Sequence, residues 1–88
     1  MTTKENAAVR ELAAALRDAL DVPIPARHVG WDVQRDLFSA RTAFLRGVLG
    51  DLAERGDIGA ATGSVRKVVQ QYPVTYTPYT REQDGGAE

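Results

Sequence analysis

Residues 31–56, WDVQRDLFSARTAFLRGVLGDLAERG, contain the longest helical pattern of the chain and decide its fold class. Their apolar side chains recur at three- and four-residue steps and span an arc of roughly 160° on a helical wheel. Asp32 is a suitable N-cap, with Trp31 before it as half of a hydrophobic staple, and Gly56 is placed as a C′ residue. The stretch therefore predicts a helix over about 32–55.

Two shorter helical patterns lie on either side of this stretch. The apolar positions of the upstream pattern are Val9, Leu12, Leu16 and Leu20, and those of the downstream pattern are Val65, Val68, Val69 and Tyr72. The first predicts a helix over about 4–20 that ends before Pro23, because proline disfavours helical geometry in the residue before it. The second predicts a helix over about 60–72, with either Ser64 as its N-cap or Asp57 capping a short turn before it.

These elements predict an all-α, three-helix bundle-like domain over residues 1–80, with the first two helices antiparallel and the third packed across them. The segment 73–80, PVTYTPYT, alternates large apolar side chains with threonine between prolines and is expected to be extended. The composition of the tail 81–88 predicts disorder. The predicted core consists of Val9, Leu12, Leu16, Leu20, Trp31, Leu37, Phe38, Phe44, Leu45, Val48, Leu49, Leu52, Val65, Val68, Val69 and Tyr72.

Composition narrows the classes of function and the compartment. The 88 residues carry a net charge of −1 and include no cysteine, which excludes thiolate catalysis, zinc–thiolate sites and iron–sulfur clusters. The first residues lack the apolar run of a signal peptide, and no stretch approaches the ~18 apolar residues of a membrane span. We expect a cytoplasmic protein without a membrane partner.

Catalytic and metal-binding patterns are weak. His28 precedes Asp32 and Asp36 at four-residue steps, but the prolines and Gly30 place it in a connector, where that alignment is broken. The remaining carboxylates near the end of the second helix are those of a solvated face. We expect no enzyme activity, no cofactor and no metal site, because nothing combines a nucleophile, a base and a stabilising donor.

The wide apolar arc of the second helix favours a module that associates with itself or with a foreign protein. Two polar residues, Gln34 and Arg41, lie within the arc, as in a helix that contacts both its own core and a partner. On the opposite side Ala40, Ala43, Gly47 and Gly50 form a stripe of small residues, which either packs closely on another helix or faces solvent. The candidate partner contacts are Phe38, Arg41, Leu45, Tyr76 and Tyr79.

DNA binding through a helix-turn-helix over residues 55–72 is the alternative. Ile58, Gly59, Gly63 and Val69 approximate the spacing of that motif. The candidate DNA contacts would be Ser64, Arg66, Lys67, Gln70 and Gln71. The chain is not basic overall, and serine stands at position 64, where the motif prefers an apolar residue.

Residues 71–78, QYPVTYTP, resemble the proline–tyrosine extension that ends small uncharacterised helical proteins of high-GC actinobacteria. Those proteins are similar in size and have an Ala/Arg/Asp-rich helical body. The resemblance implies an accessory or mobile-element protein rather than a housekeeping enzyme. It implies no activity and transfers no functional residue.

Overall fold

The computed structural model describes residues 3–80 and contains three α-helices in chain order. Helix α1 covers Thr3–Leu20, α2 covers Trp31–Arg55 and α3 covers Ile58–Gln71, with a short 3₁₀ helix at His28–Gly30 before α2. The predicted all-α fold of three helices is confirmed. No helix within residues 3–80 combines the length and the apolarity needed to cross a membrane. The tail predicted to be disordered, 81–88, lies outside the described residues.

Two adjacent residues form the turn between α2 and α3. Gly56 has a φ of 69°, in the left-handed region that glycine tolerates best, and its N–H donates to the carbonyl oxygen of Leu52 over 2.8 Å. The carboxylate of Asp57 then accepts a hydrogen bond of 3.0 Å from the N–H of Ala60 and caps α3. Helices α2 and α3 therefore form a tight helical hairpin.

The beginning of α2 differs from the prediction. The chain enters α2 directly from the 3₁₀ helix, and Gly30 stands at the N-cap with no side-chain hydrogen bond. Asp32 lies inside the first turn, where its carboxylate is 3.3 Å from the guanidinium of Arg35 and lies near the positive end of the helix dipole. The prediction that Asp32 caps α2 was wrong, because the preceding 3₁₀ turn already supplies the helical geometry.

The core is centred on α3 rather than on α2. Helix α1 packs mainly against α3 and touches α2 over a smaller area, which differs from the predicted antiparallel pair of α1 and α2 crossed by α3. The central cluster contains Leu12, Ala15, Ala19, Leu45, Ala61 and Val65. Ala19 and Val65 are fully buried. Three alanines in this cluster allow α1 and α3 to approach closely.

Six residues of the predicted core are exposed instead. They are Val9, Leu20, Trp31, Phe38, Phe44 and Leu49. The molecule measures 52 × 26 × 15 Å, and its radius of gyration of 16.0 Å exceeds the ~12 Å expected for a compact chain of this length. A flat, elongated arrangement of three helices leaves part of each apolar face without a neighbour.

The extended segment 73–80 is docked on the connector 21–30. The two segments form one antiparallel bridge between Pro25 and Pro78. The N–H of Ala26 donates to the carbonyl oxygen of Thr77 over 2.8 Å, and the N–H of Tyr79 donates to that of Ile24 over 2.6 Å. The prediction of extended geometry is therefore correct, and the partner of the segment is the chain itself.

Candidate interaction surfaces

Arg41 lies buried where the C-terminal ends of α1 and α3 meet the middle of α2. Its side chain is 3% exposed, its Nε donates to the carbonyl oxygen of Tyr72 over 2.9 Å, and its Nη1 donates to that of Ala19 over 3.1 Å. Both acceptors stand at helix C-termini, where carbonyl groups lack intrahelical partners and the helix dipole is negative. Arg41 therefore joins three helices within one chain, and its polar atoms bind this chain rather than facing outward as a candidate partner contact would.

Tyr76 attaches the extended segment 73–80 to the connector. Its phenolic hydroxyl donates to the carbonyl oxygen of Pro23 in the connector. Burial raises the pKa of Tyr76 above its ordinary value of 10.0, and the nearby positive charge of Arg41 opposes that shift. The side chain predicted to contact a partner is therefore half-buried and engaged within the chain.

The other candidate partner contacts fall into two groups. Leu45 is buried in the central cluster and is not accessible to a partner in this structure. Phe38 and Tyr79 are exposed, on α2 and in the extended segment respectively. The structure does not bring these two together with Arg41 and Leu45 into one accessible surface.

The exposed apolar residues of α2 lie on both flanks of its apolar arc, with Val33 and Phe44 on one flank and a stripe of predicted core residues on the other. Trp31, Phe38 and Leu49 are 47%, 42% and 46% exposed. At 100° per residue they lie within about 20° of one another, on the flank of the buried line formed by Leu37, Arg41 and Leu45. We call Trp31, Phe38 and Leu49 the α2 stripe. The unusual width of the apolar arc was the signal in the sequence for this surface.

Three of the four residues on the small-residue side of α2 are exposed, and Ala40 is partly buried. A Cβ atom added to Gly47 or Gly50 would meet no heavy atom of residues 3–80 within 4 Å. Ala43 is exposed as well. Neither glycine therefore packs closely against α1 or α3.

Residues 55–72 do not form a helix-turn-helix, because Ile58–Gln71 is one uninterrupted helix. Gly63 lies inside this helix, where the motif would require a turn. The five candidate DNA contacts are nevertheless all exposed on α3: Ser64, Arg66, Lys67, Gln70 and Gln71. Helix α3 contains no acidic residue. Its outer surface is polar and weakly basic.

The remaining polar groups offer little for catalysis or metal binding. His28 is exposed in the 3₁₀ helix, and Asp32 and Asp36 lie 3.3 and 3.9 Å from Arg35. Within residues 3–80 no group of three or more His, Cys, Asp or Glu side chains converges on a common point. A cleft of about 280 Å³ between the 3₁₀ helix and the extended segment is lined by Arg27, Val29, Gly30, Val33, Thr75, Tyr76 and Thr77, without a carboxylate or histidine.

Comparison of the chain with protein-family models, with curated proteins and with solved structures gives no significant match in any of the three.

Proposed function

We propose that this chain is a non-catalytic protein–protein interaction module that associates with a second copy of itself through α2. The observation that carries the proposal is the α2 stripe, in which Trp31, Phe38 and Leu49 expose nearly half of their surfaces on one face. Aromatic and large aliphatic side chains of this kind anchor protein interfaces when they are buried together.

The small core of the chain supports the same conclusion. The buried apolar residues include three alanines, and within residues 3–80 Val65 is the largest side chain that is fully buried. Exposed large side chains such as Phe38 and Leu49 gain about 25 cal/mol for each Å² that a partner removes from water. A second copy would therefore bury apolar surface that the single chain leaves exposed.

The expected affinity is modest. Side chains of this size present roughly 100 Å² each when half exposed, so the three stripe residues of two copies contribute about 600 Å². Stable interfaces bury at least ~1,200 Å², and the remainder must come from neighbouring polar positions. We expect a dissociation constant in the micromolar range, typical of weak or transient dimers.

Light scattering over a concentration series from about 5 to about 500 μM tests the proposal, because this range brackets a micromolar equilibrium. We expect a mass that rises from 9.6 kDa towards twice that value. Leu49→Glu should remain monomeric across the series, and Val29→Gln, which changes an even more exposed apolar residue outside the stripe, should behave as the wild type. A wild-type mass that stays at one chain throughout would refute self-association.

We also propose that the chain is cytoplasmic and acts as an accessory protein of a mobile element. The support for this proposal is the absence of cysteine, which fits a reducing compartment, and the resemblance carried by residues 71–78. Fractionation of the producing cells followed by detection of the chain tests the location.

Nucleic-acid binding by the outer face of α3 is the second candidate function. It is favoured by the five exposed polar or basic side chains of this helix and by the absence of an acidic residue among them. Two cations, Arg66 and Lys67, limit the slope of log K against log salt to about −2. Binding to duplex DNA that is salt-dependent and lost in the Arg66→Ala/Lys67→Ala variant would support it, and unchanged binding in that variant would exclude this face.

A further inference from the structure

We infer that two copies pair α2 against α2 in antiparallel orientation, around a two-fold axis that passes Thr42. This inference rests on the proposed self-association and specifies its geometry. The α2 stripe and the positions next to it on the same face of α2 are arranged symmetrically about residue 42. Phe38 and Arg46 lie four residues from it, Arg35 and Leu49 seven, and Trp31 and Ala53 eleven.

Distances of four, seven and eleven residues are close to whole numbers of helical turns. At 100° per residue, all seven positions therefore fall within a strip of about 80°. All except Thr42 are exposed, and Thr42 is partly buried. The strip runs along almost the whole length of Trp31–Arg55. A second α2 helix can therefore follow it without displacing any residue of the central cluster.

Charge selects the antiparallel orientation. In a parallel pair with matched register, each Arg35 and each Arg46 would face its own copy, which is unfavourable for like charges. In the antiparallel pair centred on Thr42, Arg46 faces Phe38 of the second copy and Arg35 faces Leu49 of the second copy. A guanidinium over an aromatic ring is an attractive contact, and Arg46 makes no ion pair within residues 3–80.

The remaining contacts of the antiparallel pair are also complementary. Arg35 is already accompanied by the carboxylates of Asp32 and Asp36, so its charge is compensated where it meets leucine. Trp31 faces Ala53 of the second copy, so that a large ring opposes a small side chain. At the axis, the hydroxyl of Thr42 donates to the carbonyl oxygen of Ser39 over 3.0 Å, and its polar atom needs no partner across the interface.

Single-cysteine variants test this geometry, because the chain contains no cysteine of its own. A disulfide forms only where two Cβ atoms approach to about 4 Å. We expect Thr42→Cys to form a disulfide-linked dimer with itself. Arg35→Cys and Leu49→Cys should crosslink several-fold more when mixed than either does alone. Gly47→Cys, on the opposite side of α2, is the matched control and should not crosslink.

The possible outcomes separate the geometry from the self-association. Self-crosslinking of Arg35→Cys, or crosslinking of Gly47→Cys, in a chain that is dimeric by mass would overturn the antiparallel arrangement and leave the proposed function intact. A monomeric mass would instead remove the proposed function itself. As a second measurement, Arg46→Glu should raise the dissociation constant about tenfold through loss of the contact with Phe38. An unchanged constant would contradict the pairing of Arg46 with Phe38.

Discussion

The guanidinium of Arg41 donates a hydrogen bond to the carbonyl oxygen of Ala19, 22 residues earlier, and this contact attaches α2 to the end of α1. The same side chain binds the carbonyl oxygen of Tyr72 at the end of α3. A buried cation without a carboxylate partner is stabilised here by two helix C-termini, whose carbonyl groups need donors. The junction of the three helices therefore depends on one polar residue.

Arg41→Ala is expected to destabilise the fold by about 2 to 5 kcal/mol, because it leaves two carbonyl groups without their donor and removes a buried side chain. Arg41→Lys should lose less, since it keeps the charge but not the planar geometry that reaches both oxygens. Urea unfolding measures the stability of both variants. All samples are compared at one protein concentration, because self-association would raise the apparent stability. Arg10→Ala, an exposed arginine of α1, is the control. Equal stability of Arg41→Ala and Arg10→Ala would contradict this role for Arg41.

Tyr76→Phe is expected to cost about 1 kcal/mol at pH 7 through loss of the hydrogen bond to Pro23. Because the folded-state pKa of Tyr76 is raised, its contribution is fully present below the unfolded value of 10.0 and is lost as the pH rises through the folded-state pKa. The difference in unfolding free energy between wild type and variant should therefore shrink above about pH 10. Denaturant titrations from pH 7 to pH 11 measure it, and a difference that grows with pH would have the wrong sign.

Gly30→Ala and Gly47→Ala form a matched pair with opposite expected effects. A Cβ atom at residue 30 would lie 2.7 Å from the Cβ of Pro25, so this variant should lose about 1 to 3 kcal/mol. At residue 47 the space is open, and alanine should stabilise the middle of α2 by about 1 kcal/mol. Thermal unfolding of both variants measures whether each change lowers or raises the stability of the fold.

The Gly47→Ala variant also tests how the small-residue side of α2 is used. If only the α2 stripe forms the dimer, the dissociation constant of Gly47→Ala should equal that of the wild type. A weakened dimer would instead show that the glycines lie in the interface, because an added methyl group separates closely packed backbones.

Asp57→Ala is expected to destabilise the protein by about 1 kcal/mol, because the N–H of Ala60 loses its acceptor at the start of α3. Ser64→Ala should cost nothing or stabilise slightly, since serine is a weaker helix former than alanine and lies inside the helix. Circular dichroism during urea unfolding compares the two variants. A larger loss of stability in Ser64→Ala than in Asp57→Ala would contradict the assignment of Asp57 as the N-cap of α3.

The fold class was predictable because the helical periodicity is strong and the ends of the helices carry local signals. Gly56 acts as the sequence indicates, as the left-handed residue after α2, whereas Asp57, expected to cap a short preceding turn, caps α3 itself because that turn is continuous with the helix. The core was less predictable. Periodicity shows that Leu45 and Leu49 belong to one apolar arc, but the second is exposed and the first is buried. Which part of the arc is covered depends on how neighbouring helices lie across it.

Arg41 shows the same limit for polar residues. Its position inside an apolar arc marks it as unusual, and both a snorkelling and an interface arginine are reasonable expectations from the sequence. Its actual acceptors are backbone carbonyl groups of Ala19 and Tyr72. Every residue has a carbonyl group, so no residue type in the sequence identifies these two as partners.

The sequence alone determined the three helices and where they end, because those features depend on hydrogen bonds within four residues and on the restricted backbone of proline and glycine. Only the tertiary structure decided that α3 forms the centre of the core, that segment 73–80 docks on the connector, and that the α2 stripe is exposed. These outcomes depend on contacts between distant parts of the chain, such as Arg41 with Tyr72, whose geometry follows from the packing of whole helices.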